Sequence, residues 1–376
     1  MRKLITLGAT ACTAVALTLP AMAQEVVVIG HSAPLTGPQA ANGKDNENGA
    51  RLAIDELNRQ GVVVAGKKVT FKLESQDDQA DPKTGVQIAQ ILVDHNVVAV
   101  LGPYNSGVAI PASRVYNNAG IPLLPVASNP SITKQGFKNI FRIGASDAQL
   151  GGTMGDFAAK ELKAKTVAII DDRSAYGQGI AEQFEESAKA HGLEIVGKQF
   201  TNGQATDFLG ILTALKARNP DVIFFGGYAS QAAPMAKQMR QRGLRAKLLG
   251  GDAICTADMG KVAGDAASIV YCSQGGTALD QTEEGRNFIK KYKDTYHADM
   301  QVYAVNYYDA VKMLADMMAK AATTTDKSKL IAQLAKEQYK GIAGTYSFDA
   351  EGNLKGAPTT VYVIRNGLPV PYARGD

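Results

Sequence analysis

The sequence predicts an α/β fold of two lobes, each built on a parallel sheet, and three observations carry that expectation. Short apolar runs alternate with stretches at helical spacing, the alternation restarts near residue 166 after a first series over residues 26–141, and no Ser-, Gly- or Pro-rich linker separates the halves. Strict alternation calls for parallel strands with crossover helices, because a parallel neighbour cannot be reached by a hairpin. Two halves without a linker imply that the chain crosses between lobes more than once. Such lobes hinge as a clamshell.

Residues 26–29 read as a short buried strand, followed by the loop His31-Ser-Ala-Pro-Leu-Thr-Gly-Pro. Ala50, Ala53, Ile54 and Leu57 repeat at helical spacing over residues 49–59, and Gly61 closes that helix. Residues 68–74 alternate as a strand, with Val69, Phe71 and Leu73 on one face, and Pro82 opens the next helix. The apolar runs at 97–101 and 121–125 have the length and composition of buried parallel strands. A helix over 107–119 separates them.

Each of these two strands ends in a small polar loop at the sheet edge where ligands bind in open α/β folds. Ser106 and Ser128 are placed to use that edge. Their hydroxyls suit a carboxylate, while an oxyanion, an amide or simple helix capping fit the same loops.

The second half offers strands at 166–170, 194–200, 222–225, 247–249 and 268–272, with helices at 180–190, 208–217 and 234–242. Tyr176, Tyr228 and Asp252 each follow the carboxyl end of one of these strands. For a zwitterion, Asp252 would face the ammonium while the two tyrosines pack on the ligand and donate hydrogen bonds. Capping of a helix from Ala253 or Thr256 is the competing role for Asp252. Helices are expected at 288–296, 303–318 and 329–336, and late strands at 346–348 and 359–364, the last followed by an Asn366-Gly turn.

The chain has 376 residues, 45% hydrophobic and 20% charged, an ordinary globular composition with length for about two domains. Met1-Arg-Lys, an apolar run over residues 4–19 and Ala21-Met-Ala23 form a signal peptide expected to be cleaved after Ala23, giving a periplasmic protein. Cys12 lies in a poor lipobox. Losing Arg2 and Lys3 lowers the formal charge from +4 to +2, and the remaining Lys and Arg are spread, so no nucleic-acid partner is expected. Cys255 and Cys272 remain as an even pair in an oxidising compartment, and a disulfide between them is expected.

Catalytic chemistry leaves no trace. The four histidines are far apart, there is no zinc helix, paired Cys-x-x-Cys or nucleophile elbow, and only His31 sits at a strand end on the binding edge. Gly177-Gln-Gly179 follows a strand but lacks the third glycine of a dinucleotide fingerprint. No cofactor, metal or catalytic residue is expected.

The same strand-end residues resemble a known family, the type I periplasmic binding proteins of the leucine/isoleucine/valine-binding kind that serve ABC importers. The resemblance spans nearly the whole mature chain. It rests on Ala33-Pro-Leu-Thr-Gly-Pro, Gly49-Ala-Arg-Leu-Ala-Ile-Asp-Glu-Leu-Asn, the segment 78–82, Gly102-Pro-Tyr-Asn-Ser106 and Pro125-Val-Ala-Ser128. It continues in the segment 172–179, Gly226-Gly-Tyr228, Tyr307-Tyr-Asp-Ala and Gly344-Thr-Tyr-Ser-Phe-Asp-Ala-Glu-Gly352.

It implies two Rossmann-like lobes joined by three hinge crossovers, with residues 24–145 and 275–352 in the N-terminal lobe and 146–274 and 353–376 in the C-terminal one. It also implies a protein that delivers a small, aliphatic or branched-chain L-amino acid to a membrane ABC permease; a monomer is expected, although the sequence leaves the oligomeric state open. Ser106 and Ser128 match positions that hold the ligand carboxylate, Val126 a carbonyl that receives the ammonium, and Asp252 the acid that balances it. Tyr176 and Tyr228 match residues that complete the pocket on closure; Tyr104 and Tyr303 match the side-chain pocket. Asn105 and Ala127 belong to the same two loop motifs. Three departures stand out: Asp252 where glutamate is usual, Asn42 where tyrosine is frequent, and Tyr104 where an aliphatic residue is common. Relatives of this fold also bind amides, urea and aromatic acids; for an amide, Asp252 would be dispensable.

Overall fold

The structure is a computed structural model and describes residues 25–373. The expected signal peptide lies outside the described residues. Strands β1 (Glu25–Ala33), β2 (Val63–Val64), β3 (Lys67–Asp77), β4 (Ala99–Leu101) and β5 (Leu123–Leu124) form one sheet in the order β2-β3-β1-β4-β5. The second sheet takes β6 (Thr166–Asp171), β7 (Glu194–Phe200), β8 (Val222–Gly226), β9 (Lys247–Gly250) and β10 (Val270–Gly275). After a small antiparallel pair, β11 (Tyr339–Lys340) and β12 (Thr345–Tyr346), the chain returns to it as β13 (Thr359–Arg365) and β14 (Leu368–Pro371). Its order is β14-β13-β10-β9-β8-β6-β7. The second sheet thus draws on the middle of the chain and on its last two strands, and the chain crosses between the two lobes three times.

Helices α1 (Ala40–Gln60), α2 (Pro82–Asp94) and α3 (Ser106–Asn118) cover the first sheet, and α4 (Asp147–Lys160), α5 (Ala175–Ala190), α6 (Leu209–Lys216), α7 (Ala229–Gln241) and α8 (Ala257–Ala263) the second. The chain then returns to the first lobe as α9 (Glu283–Tyr296), α10 (Ala304–Lys320) and α11 (Lys327–Lys336), with α10 packed along α1. The core strands are parallel: Val100 pairs with Leu123 across β4 and β5, and Ile169 with Phe224 across β6 and β8. In the two larger sheets antiparallel pairing involves β2 with β3 at one edge and β13, which runs antiparallel to both β10 and β14, at another; the β13–β14 turn residues Asn366 and Gly367 both have positive φ.

Several expectations shift. Helix α1 begins nine residues before the expected start, because its first turns bury Asn42, Asp45, Asn46 and Glu47 rather than apolar residues, and hydrophobic spacing does not register them. Helix α5 starts at Ala175, not Ile180, and α7 at Ala229 with Pro234 inside it. Helix α4 has no counterpart in the sequence expectations. Its Leu150, Met154 and Phe157 have helical spacing, but Gly151, Gly152 and Gly155 dilute its helix propensity. Two of these glycines are packing requirements: a Cβ at Gly151 would lie 2.8 Å from the Ile180 carbonyl oxygen, and one at Gly155 2.4 Å from Ser187 Oγ, both on α5.

The expected disulfide is present. Cys255 and Cys272 are joined, with Cα atoms 5.4 Å apart, tying the segment after β9 to β10. Among the described residues no helix is long and apolar enough to cross a membrane, and no His/Cys/Asp/Glu group could hold a metal ion.

Candidate ligand cleft

Because β4 and β5 are adjacent and parallel, the loops that follow them lie side by side on the first lobe. The β4 loop carries Tyr104, Asn105 and Ser106, and the β5 loop carries Val126, Ala127 and Ser128; all six residues are buried. The two loops touch where the Asn129 N–H donates to Ser106 Oγ at 3.3 Å. Asn105 precedes α3 but makes no capping bond with its side chain. Its amide instead donates to Gln39 Oε1 at 2.6 Å and to Tyr228 Oη of the other lobe at 3.0 Å.

On the second lobe, β6, β8 and β9 are consecutive neighbours, so their following residues converge. Tyr176 sits in the first turn of α5, which Ser174 caps by accepting from the Gly177 N–H at 2.9 Å. Tyr228 precedes α7, and Asp252 opens a single 3-10 turn after β9. The capping role considered for Asp252 is not the observed one, since Thr256 caps α8 through the Met259 N–H at 3.0 Å. Asp252 is directed inward. The Tyr176 hydroxyl donates to Asp252 Oδ1 at 2.8 Å, and the Tyr303 hydroxyl, from the first lobe, donates to Oδ2.

The four tyrosines form one cluster. Ring centroids are 5.2 Å apart for Tyr176–Tyr228 and 6.3 Å for both Tyr104–Tyr228 and Tyr104–Tyr303. Burial raises the Asp252 pKa, against the opposing effect of the two tyrosine hydroxyls. Burial, followed by the nearby Asp252 charge, holds the Tyr104, Tyr176 and Tyr303 phenols well above their ordinary range, so they remain hydrogen-bond donors.

The structure therefore brings Tyr104, Asn105, Tyr176, Tyr228, Asp252 and Tyr303 into one buried cluster, with Ser106, Val126, Ala127 and Ser128 on the buried loops after β4 and β5. It also adds two that hydrophobic patterning missed. Arg142 is fully buried and holds the β5 loop: it donates to the carbonyl oxygens of Ala127 and of Asn129, the latter at 3.0 Å, and to Asn353 Oδ1 at 3.1 Å. Its pKa is lowered to about 10 by burial. Asp147, the first residue of α4, donates its N–H to the Ser128 carbonyl oxygen at 2.9 Å, and burial pushes its carboxyl up to about 8. The Ser146 and Gln149 capping box was the sequence signal that would have found α4 and, with it, Asp147.

The lobes meet tightly here. Asn129 Nδ2 donates to the Ala175 carbonyl oxygen of the second lobe at 2.7 Å, and a Cβ at Gly179 would lie 2.4 Å from that nitrogen and 2.7 Å from Asp147 Oδ2. Gly179 thus permits closure rather than phosphate binding. His31, singled out at the sheet edge, instead lies inside β1, bonded to Ser75 Oγ at 2.8 Å and edge-on to Tyr307. It does not join the cleft cluster.

Two α/β lobes that meet over a buried cluster of tyrosines and a carboxylate have the architecture of a bilobed solute-binding protein. The chain belongs to the periplasmic binding protein family, whose pattern matches residues 26–367. It is 32% identical over 375 residues, covering 99% of both chains, to the Leu/Ile/Val-binding protein homolog 1 of Brucella abortus. Among solved structures it is similar to the branched-chain amino acid transporter substrate binding protein LivJ of Streptococcus pneumoniae in complex with isoleucine. That match has a TM-score of 0.82 and 26% identity, covering 93% of this chain and 100% of the other. A solute binding protein of an ABC transporter from Rhodopseudomonas palustris BisB5, in complex with 3,4-dihydroxy benzoic acid, matches with TM-score 0.81 and 26% identity over 93% and 97% of the chains.

Proposed function

We propose that this protein is the periplasmic substrate-binding component of an ABC importer, capturing a small L-amino acid by clamshell closure and delivering it to a membrane permease. The observation that carries the reading is Asp252, a buried carboxylate that accepts hydroxyls from both lobes beside the Ser106 and Ser128 loops. In this reading Asp252 faces the ligand ammonium together with the Val126 carbonyl, and Ser106 and Ser128 hold its carboxylate. Tyr176 and Tyr228 complete the enclosure from the second lobe, while Tyr104, Asn105, Ala127 and Tyr303 shape the rest of the wall. The hinge runs through the crossovers at 145/146, 274/275 and 352/353.

Closure removes water, so charge-assisted bonds to the ligand act at low dielectric and select for paired charges. Ligand favours the closed form only through higher affinity for it, which requires contacts from both lobes. No bond is made or broken. The leucine, isoleucine and valine names of the relatives support a branched-chain ligand, whereas Tyr104, bulkier and more polar than an aliphatic residue, makes the side-chain end of this cleft narrower and more polar.

A second reading, an aromatic acid, is favoured by the tyrosine cluster alone. Thermal unfolding of ligand-stripped protein against L-amino acids, their deaminated acids and their amides separates the two. Ligand at about 100 times its Kd adds about 2.7 kcal/mol. Stabilisation by an amino acid but not by its deaminated analogue supports the zwitterion site; stabilisation by acids or amides alone overturns it.

A further inference from the structure

Beside the tyrosine cluster lies a cavity of about 280 Å³ between the lobes, lined among others by Gln39, Asn42, Tyr228, Ser230, Thr256 and Asp258. Gln39 and Asn42 come from the first lobe and the other four from the second, so the cavity is shaped by closure. Tyr228 belongs to both spaces: its ring packs on Tyr176, and its hydroxyl receives the Asn105 amide.

The wall of this cavity and the cluster next to it carry polar atoms that the fold leaves unused. Asn42 is 8% exposed and Asn105 5%, yet Asn42 Oδ1 and Asn105 Oδ1 have no hydrogen-bond partner among the described residues, nor does the Tyr104 hydroxyl in the adjoining cluster. A buried polar atom left unpaired is destabilising, and native folds leave few of them. The unpaired Asn42 oxygen on the cavity wall, with the unpaired Asn105 oxygen and Tyr104 hydroxyl in the adjoining cluster, marks a place where another molecule supplies the missing bonds.

We infer that the cavity walled by Gln39, Asn42 and Asp258 is the side-chain compartment of the cleft, and that the ligand it selects ends in a carboxamide. The inference rests on the amino-acid reading above and concerns the side chain alone. A carboxamide carries two N–H donors and a carbonyl acceptor, so it can donate one hydrogen to the free Asn42 oxygen and one to the Asp258 carboxylate while accepting from a hydroxyl. A hydrocarbon side chain of equal length would leave those groups unpaired. Sites built to hydrogen-bond a side chain reject analogues lacking the group far more strongly than apolar pockets reject a missing methylene.

The test is calorimetric titration of the ligand-stripped wild-type protein with L-glutamine, L-asparagine, L-norleucine, L-leucine, L-lysine and L-alanine. The expected result is that L-glutamine or L-asparagine binds at least about a hundredfold tighter than L-norleucine and L-leucine. Asn42→Leu should narrow that ratio at least about tenfold. Tighter binding of L-leucine, L-norleucine or L-lysine than of both amides overturns the inference while leaving the amino-acid reading standing, as would a ratio unmoved by a folded Asn42→Leu protein. Failure of every amino acid, L-alanine included, together with binding of benzoate, overturns the amino-acid reading itself. The wild-type ratio needs no variant to fold.

Discussion

Tyr303 and Asp252 lie 51 residues apart on opposite lobes, and the Tyr303 hydroxyl donates to Asp252 Oδ2 deep in the cleft. The carboxylate proposed to meet the ligand is thus also a fastening between the lobes. A ligand ammonium would compete with Tyr303 for the same oxygen.

Tyr303→Phe removes that donor and little else. Hydrogen bonds to charged groups contribute about 1.5–3 kcal/mol. The expected outcome is a ligand-free protein with a larger radius of gyration in small-angle scattering, while saturating ligand restores the compact value.

Asp252→Asn keeps the side-chain shape and removes the charge. Truncating one partner of a buried hydrogen-bonded charge pair costs about 2–5 kcal/mol of binding. Affinity for the best amino acid should therefore fall at least about thirtyfold, a larger loss than the one the unfolding midpoint of the free protein shows. Undiminished affinity in titration calorimetry would remove Asp252 from the site.

Arg142 acts through the loop it holds. Arg142→Met leaves the Ala127 and Asn129 carbonyl oxygens without their donor, at about 1–3 kcal/mol for each buried group left unpaired. Both stability and affinity should drop, since Ser128 lies between the two carbonyls. A variant that loses stability yet binds at the wild-type level would show that the loop keeps its shape unaided.

The Cys255–Cys272 bond closes a short loop of sequence separation 17. A loop of that size corresponds to about 3 kcal/mol of chain-entropy stabilisation. Replacing both cysteines by alanine should lower the denaturant midpoint by that order, with the segment after Asp252 exchanging amide hydrogens faster.

His31 predicts a loss of stability in acid. Burial lowers its pKa from the ordinary 6.5 to about 4. Between those values the unfolded chain binds the proton that the folded chain refuses, so stability falls as pH falls. The loss reaches about 3 kcal/mol by pH 4. Asp78, raised to about 6 by burial, works in the opposite direction over a similar range. Comparing wild type with His31→Phe at pH 7 and pH 4.5 isolates the histidine: the variant should lose less stability on acidification.

The helix–strand alternation and the strand ends were legible because they depend on local periodicity. Apolar runs at β4, β5, β6 and β8 reveal buried parallel strands, and parallel strands put all their following loops on one edge; Ser106, Ser128, Tyr176, Tyr228 and Asp252 could be read from that rule alone. Where a buried face is polar, as at Asn42 and Asp45 in α1, or where close packing demands glycine, as at Gly151 and Gly155 in α4, the periodic signal fades. Tertiary structure alone decided that Tyr303 reaches Asp252, that Arg142 grips the Ser128 loop, that His31 belongs to the core, and that the side-chain oxygens of Asn42 and Asn105 stay unpaired. Those contacts join residues distant in sequence across the lobes or through the core, and hydrogen-bond partners are set by three-dimensional approach rather than by spacing along the chain.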